Sequence, residues 1–296
     1  MKFYRFLGIV IIFIHLIIFP CCAKKTDQEK KPSKQSEVSQ QSGDVASLVQ
    51  QLTKSRELRT EARKKLISLG KAATAGLISY KESSEFTIRW EIANILGSTK
   101  DPAGLDTLIN FVLRDENPHV RWRSIWALSQ HDDPSIGERF RSYFNDGNKT
   151  IRWNAAVGGS MFSVKETLPI LKEGLSSPDD FTAWEAVNAL SRIFDQESVK
   201  LLIPILEGSV ERVRRESVLS LGKMKYPEAR DLLIKYLSDK DPGVRWRSAM
   251  SLANYSDPSV RKALENQLKV EKDTETISQI QKSLQKYNDI KQGQKK

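Results

Sequence analysis

The pentapeptide Val-Arg-Trp-Arg-Ser stands at residues 120–124 and again at 244–248. It is the best-kept part of a longer repeat. Segments starting at Ile88, Val120, Ile151, Thr182, Val213 and Val244 read IRWEIANILG, VRWRSIWALS, IRWNAAVGGS, TAWEAVNALS, VRRESVLSLG and VRWRSAMSLA. Successive starts lie 32, 31, 31, 31 and 31 residues apart. A period this constant constrains the fold more than any composition does. Each unit is one supersecondary element, too small to bury its apolar face alone, so the units must stack.

A second kind of segment precedes each of these. Examples are DPAGLDTLINFVL from Asp101, DQESVKLLIPIL from Asp195, YPEARDLLIKYL from Tyr226 and DPSVRKALENQL from Asp257. They open on capping residues or proline, as helix N-termini do, and then space apolar residues at the helical period. No stretch alternates with period two for long. Each unit is therefore expected to be two helices joined by short turns.

This pattern resembles HEAT repeats, in the short form named after phycobilin-lyase subunits, from about Ser47 to Tyr287. The resemblance implies an all-α, right-handed α-solenoid of helical hairpins. Its motif has an aspartate in the turn and a Val-Arg pair opening the second helix. Here Asp115, Asp146 and Asp239 stand six residues before Arg121, Arg152 and Arg245, and are expected to pair with them. Arg89 and Arg214 break the rule, with Ser83 and Gly208 in the aspartate position. Residues 47–70 and 273–287 read as degenerate terminal units, as caps whose outer faces meet water should.

Placing the second helix at 100° per residue, with its first Val or Ile as position zero, puts positions zero, four, five and eight in an apolar arc about 140° wide. Position one, the arginine, falls inside this arc, where an unpaired charge is costly. Position two falls on its edge. It is Trp90, Trp122, Trp153, Trp184 and Trp246 in five units and Arg215 in the other; the sixth tryptophan, Trp126, lies one turn beyond Trp122. Two readings stay open. The tryptophans pack between neighbouring helices, with small residues at position nine making room. Alternatively, with Arg123, Arg215 and Arg247, they line a binding groove for a protein or peptide, whose interfaces favour aromatic residues and arginine.

The N-terminus reads as an address. In MKFYRFLGIVIIFIHLIIFPCC, Lys2 and Arg5 precede an apolar run from Phe6 to Phe19, which is short for a membrane span. The segment is similar to a bacterial lipoprotein signal peptide, which implies acylation of Cys22, or less readily Cys21 after Pro20. Residues 23–44 are polar and read as a tether, and 288–296 as a basic disordered tail. The expected location is therefore the cell envelope, membrane-attached through lipid, on the periplasmic side or the cell surface.

The net charge of +10 concentrates at the ends, and residues 45–285 carry only +4. No dense basic stripe points to duplex nucleic acid, so no nucleic-acid partner is expected. The chain has two cysteines, Cys21 and Cys22, and three histidines, His15, His119 and His131, which form no repeated His-Glu pairs of the kind the HEAT-like metal hydroxylases use. Neither metal, cofactor nor catalysis is expected. The adjacent carboxylates Asp132-Asp133 and Asp179-Asp180 read as caps. The functional expectation is a non-enzymatic scaffold or adaptor. Were the export signal misread, activities like those of phycobilin lyases or alkyl-base DNA glycosylases would become the alternative.

Overall fold

The computed structural model describes residues 44–293 except 194 and 209. The signal segment, both cysteines and residues 23–43 of the expected tether lie outside that range. The described residues hold no strand. They form eight helical hairpins. The first pairs α1 (44–51) with α2 (Arg56–Leu69). Next come α3 (Lys71–Ile78) with α4 (Phe86–Thr99), α5 (Leu105–Arg114) with α6 (Pro118–Ser129), and α7 (Ser135–Arg141) with α8 (Lys149–Ser160). Then follow α9 (Leu168–Leu175) with α10 (Asp180–Ile193) and α11 (Gln196–Gly208) with α12 (Glu211–Met224). The last two are α13 (Pro227–Lys235) with α14 (Pro242–Leu252) and α15 (Pro258–Leu268) with α16 (Thr274–Gly293). The array is an α-solenoid. Helix α16 runs to Gly293, so residues 288–293 of the expected tail continue the helix.

Local chemistry sets the helix starts. The carboxylates of Asp101, Asp195 and Asp257 accept backbone N–H bonds from Ala103, Glu197 and Ser259, and Pro102 and Pro258 stand where a helix has no N–H to lose. The second helices start the same way, with Asn117 and Pro118, Asn148, and Asp241 and Pro242. Their ends share a geometry too. Lys100, Ser163 and Lys225, at φ 52, 55 and 57°, all sit twelve residues past the start of their repeat.

One apolar layer between first and second helices forms the core, including the fully buried Leu96, Leu108, Leu128, Phe140, Leu171, Leu190 and Leu221. Helices α4 and α6, α10 and α12, α12 and α14, and α14 and α16 pack flank to flank, whereas successive first helices from α9 to α15 touch lightly. The more closely spaced layer of a curved stack is its inner one, so the second helices form the concave side.

The stack has one irregular junction. Helix α8 packs on α5, α7, α9 and α10, while its backbone stays apart from α6. Gly158 and Gly159 explain this. A Cβ on Gly158 would meet the Phe140 ring at 2.7 Å, and one on Gly159 would meet the Phe144 ring at 3.1 Å. Without those side chains α8 sinks into the outer layer and leaves the concave side open between α6 and α10.

Candidate interaction face

The arginine at position one makes a different bond from the one the sequence suggests. Arg121, Arg152 and Arg245 do not reach the carboxylates of Asp115, Asp146 and Asp239. Each donates Nη1 to the backbone carbonyl of that aspartate, at 3.0 Å for Arg121 and Arg245. Each carboxylate is turned away by a local bond, accepting from the backbone N–H two residues on, in Asn117, Asn148 and Asp241. Any residue offers a carbonyl, so Arg89 makes the same bond at 2.6 Å to Ser83.

The carboxylates, where paired, face the hairpin before. Asp115 receives both arms of Arg89 at 2.8 and 3.0 Å, and Asp239 receives Arg214 at 3.3 Å. In the last hairpin Glu271 takes this role and receives both arms of Arg245 at 2.9 and 2.8 Å. That bond, with Gln267 and two backbone N–H groups, holds the Glu271 carboxyl down to about 2. Asp146 accepts no arginine among the described residues.

The tryptophans do not form an evenly spaced ladder. Across the gap left by α8, Trp122 of α6 reaches α10. Its ring lies 5.6 Å from Phe181 and 5.4 Å from Trp184, with His119 edge-on at 5.9 Å. The Trp122 indole N–H donates to Glu185 at 2.9 Å, and the Trp153 indole donates to the other oxygen of the same carboxylate at 2.7 Å. Trp184 donates to Glu216 at 3.2 Å. Trp153 also presses its ring against Gly174, where a Cβ would meet it at 2.2 Å. The middle of the concave face is thus closed by aromatic rings whose polar edges are already used.

The N-terminal part of the face is open. Arg123 is stacked between Trp90 at 4.4 Å and Trp126 at 4.8 Å, and Trp126 is exposed. Burial pushes the Arg123 guanidinium below its ordinary value, with nearby Glu91 opposing the shift. Glu91 itself is buried and engaged by Arg63 at 2.7 Å. Toward the C-terminus, Arg215 is locked onto Asp241 at 2.8 and 2.6 Å. Arg247 donates to the Gly243 carbonyl at 3.1 Å, its guanidinium 5.8 Å from the half-buried Trp246 ring.

Position three therefore matters more than position two alone suggests. Glu91, Glu185 and Glu216 stand there, and each is used internally by Arg63, by two tryptophans, and by Trp184. Arg192, half-buried on α10, has its pKa lowered by burial while the charges of Glu185 and Glu216 oppose the shift. Of the two described histidines, His119 lies in the first turn of α6 against Trp122, and burial keeps the His131 imidazole below its ordinary value. Among the described residues no cluster of His, Cys, Asp and Glu has the arrangement to hold a metal ion.

A stack of two-helix units, with ion pairs running from one unit to the next and an inner face of second helices interrupted only where α8 withdraws, defines a helical-repeat solenoid. The chain belongs to the HEAT-repeat family: the family's model matches residues 74–157, 137–220 and 199–285. Among solved structures the fold is similar to Kap121p bound to Pho4p, with TM-score 0.60 and 14% identity over 84% of this chain and 33% of that one. It is also similar to human deoxyhypusine hydroxylase in complex with glycerol (TM-score 0.38, 19% identity, 85% of this chain and 98% of that one). The CpcE–CpcF complex of phycocyanin lyase from Nostoc gives TM-score 0.44 and 18% identity over 72% and 94%. At these identities the likeness concerns the fold. No curated protein sequence matches the chain.

Proposed function

We propose that this protein is a non-enzymatic, membrane-attached scaffold or adaptor that holds a protein partner on its concave face. The observation that carries the reading is the open N-terminal patch. Exposed Trp126 and stacked Arg123 form a preorganised aromatic-guanidinium surface on the inner layer. Such anchors dominate binding energy where proteins meet, because a held guanidinium and a rigid ring lose little freedom on association. The carboxylates that chemistry would need on that face are instead spent on arginine and indole partners. A solenoid of this fold holds a protein in the Kap121p–Pho4p complex.

Attachment rests on the N-terminal segment, read as a lipoprotein signal with Cys22 as the acylated residue. Among the described residues no helix is long and apolar enough to cross a membrane. Two acyl chains on Cys22 would suffice to hold the protein at a membrane surface.

Two experiments test this. A photo-reactive side chain replacing Asn94, beside Arg123 on the inner layer, should give one defined protein adduct in cells, and one replacing the exposed Lys200 of α11 on the outer layer should not. Adducts from Lys200 alone would sink the concave-face reading. Separately, a fatty-acid label should enter the wild-type chain and be lost in Cys22→Ser; unchanged labelling would refute acylation at that residue.

A further inference from the structure

The concave face carries a second open region, and its charge is one-sided. Between α12, α14 and α16 lies a hollow of about 340 Å³. Leu219 and Met250 supply its apolar part, and Lys223, Lys282 and Lys286 stand around it. No Asp or Glu lines it. The hollow exists because the backbones of α12 and α14 run close together beneath it. A Cβ on Gly222 would stand 2.3 Å from the Ser251 Cβ, so only glycine fits there.

The three lysines are exposed. Lys286 donates to the Asn254 amide oxygen at 3.2 Å. Neither Lys223 nor Lys282 has a carboxylate partner among the described residues. Several outer-layer cations nearby are paired: Arg230 sits on Asp231 and Asp257, Lys235 on Glu207, and Arg261 on Glu265. The lysines around the hollow have no such carboxylate among the described residues, and none lines the hollow to supply one.

From this placement we infer that the hollow between α12, α14 and α16 is a docking site for an acidic polypeptide segment. The segment seats apolar side chains on Leu219 and Met250 and carboxylates on Lys223, Lys282 and Lys286. The apolar floor distinguishes such a segment from a phosphate polyanion, which has nothing to place there. The concave curvature distinguishes it from a bilayer surface, which would meet the ends of the array before its floor. The inference rests on the adaptor reading and names the chemistry of the partner.

Fluorescence anisotropy on the full chain in detergent tests it, with a labelled short peptide of alternating Glu and Leu, its Lys and Leu counterpart, and inorganic polyphosphate. The acidic peptide should bind, and the basic one should not. The double variant Lys223→Glu and Lys282→Glu should weaken acidic-peptide binding about tenfold or more, since like charges then face each other. The matched outer-layer variant Lys262→Glu and Lys269→Glu should leave it unchanged. Both pairs are exposed, so thermal melting by circular dichroism should match wild type in each. Four results overturn the inference: no binding of the acidic peptide, equal binding of the basic one, equal loss in both double variants, or polyphosphate that displaces the peptide and binds this site more tightly. In any of these cases a defined adduct from Asn94 leaves the adaptor reading standing. Absence of that adduct removes the adaptor reading itself.

Discussion

Trp122 donates its indole N–H to Glu185, 63 residues further on, past the whole hairpin that contains Trp153. Trp153 donates to the same carboxylate, so one buried side chain joins three successive hairpins across the junction where α8 has withdrawn. Glu185→Ala leaves two partly buried indole donors unpaired and opens the aromatic cluster. The expected loss is ~3 kcal/mol, from charged hydrogen bonds worth about 1.5–3 kcal/mol each and partial repair by water. Glu185→Gln retains one good acceptor oxygen and should lose about half as much. Urea denaturation followed by tryptophan fluorescence measures both. A Glu185→Ala protein as stable as wild type would show that the bridge is incidental.

Asp115 and Asp146 occupy the same place in the repeat, yet the structure gives them unequal work. Asp115 is buried and bonded by both arms of Arg89, while Asp146 is half-buried and holds a single backbone N–H. Removing one partner of a buried ion pair leaves the other uncompensated, so Asp115→Ala should cost about 3–5 kcal/mol. Asp146→Ala forfeits a turn bond and should cost about 1 kcal/mol. Equal losses would contradict the pairing between hairpins described above.

Much of this architecture is legible in the sequence, for a definite reason. A period of 31 residues written six times fixes the hairpin, the helix pair and the residues that face the core. What the sequence hides is which neighbour each polar group chooses. Asp115 and Arg121 are six residues apart and look like a pair, but the carboxylate is committed to Asn117 N–H and to Arg89, one hairpin back. The Trp row looks evenly spaced because the repeat is. The Gly158–Gly159 pair breaks that evenness by letting α8 sink, and only then does Trp122 meet Trp184. The row at position three is polar and mixed in sign, and its glutamates turn out to serve internal partners. Glutamate recurs at position three in Glu91, Glu185 and Glu216, next to the Trp or Arg position, and an indole or guanidinium needs such an acceptor when buried.

Left-handed backbone recurs at the ends of the second helices. Lys100 and Lys225 adopt it with side chains that disfavour it, by about 1–2 kcal/mol for an L-residue. Glycine reaches this conformation without a Cβ clash but loses more freedom on folding, so Lys100→Gly and Lys225→Gly should each stabilise by about 0.5–1 kcal/mol. Chemical denaturation of the single variants checks this. Destabilisation by either would mean that its lysine side chain contributes more than its backbone strain costs.

Acid should remove a definite contribution at the C-terminal end. In the folded protein the Glu271 carboxyl is held to about 2, far below its ordinary value near 4.5, chiefly by Arg245. A depressed carboxylate contributes stability that is complete above its unfolded value and is lost as pH falls through its folded one. The contribution should therefore be full above about pH 5 and disappear between about pH 4.5 and 2. In Glu271→Gln this part of the stability–pH profile should flatten, while stability near neutrality drops. Denaturant midpoints at a series of pH values give the comparison, and a profile unchanged by the substitution would remove Glu271 as its source.

Trp126 differs from the other five tryptophans in exposure. It is the most exposed of the six, while Trp90, Trp122, Trp153, Trp184 and Trp246 are half-buried. Acrylamide quenching of the full chain should therefore resolve a strongly quenched minor component and a weakly quenched major one. Trp126→Phe should remove most of the first and shift the remaining emission to the blue. Because Arg123 is held between Trp90 and Trp126, the same substitution should also free the guanidinium on one side and raise the quenching of Trp90 slightly. If Trp126→Phe leaves the quenching curve unchanged, Trp126 is shielded, and the open aromatic patch on which the adaptor reading stands does not exist in solution.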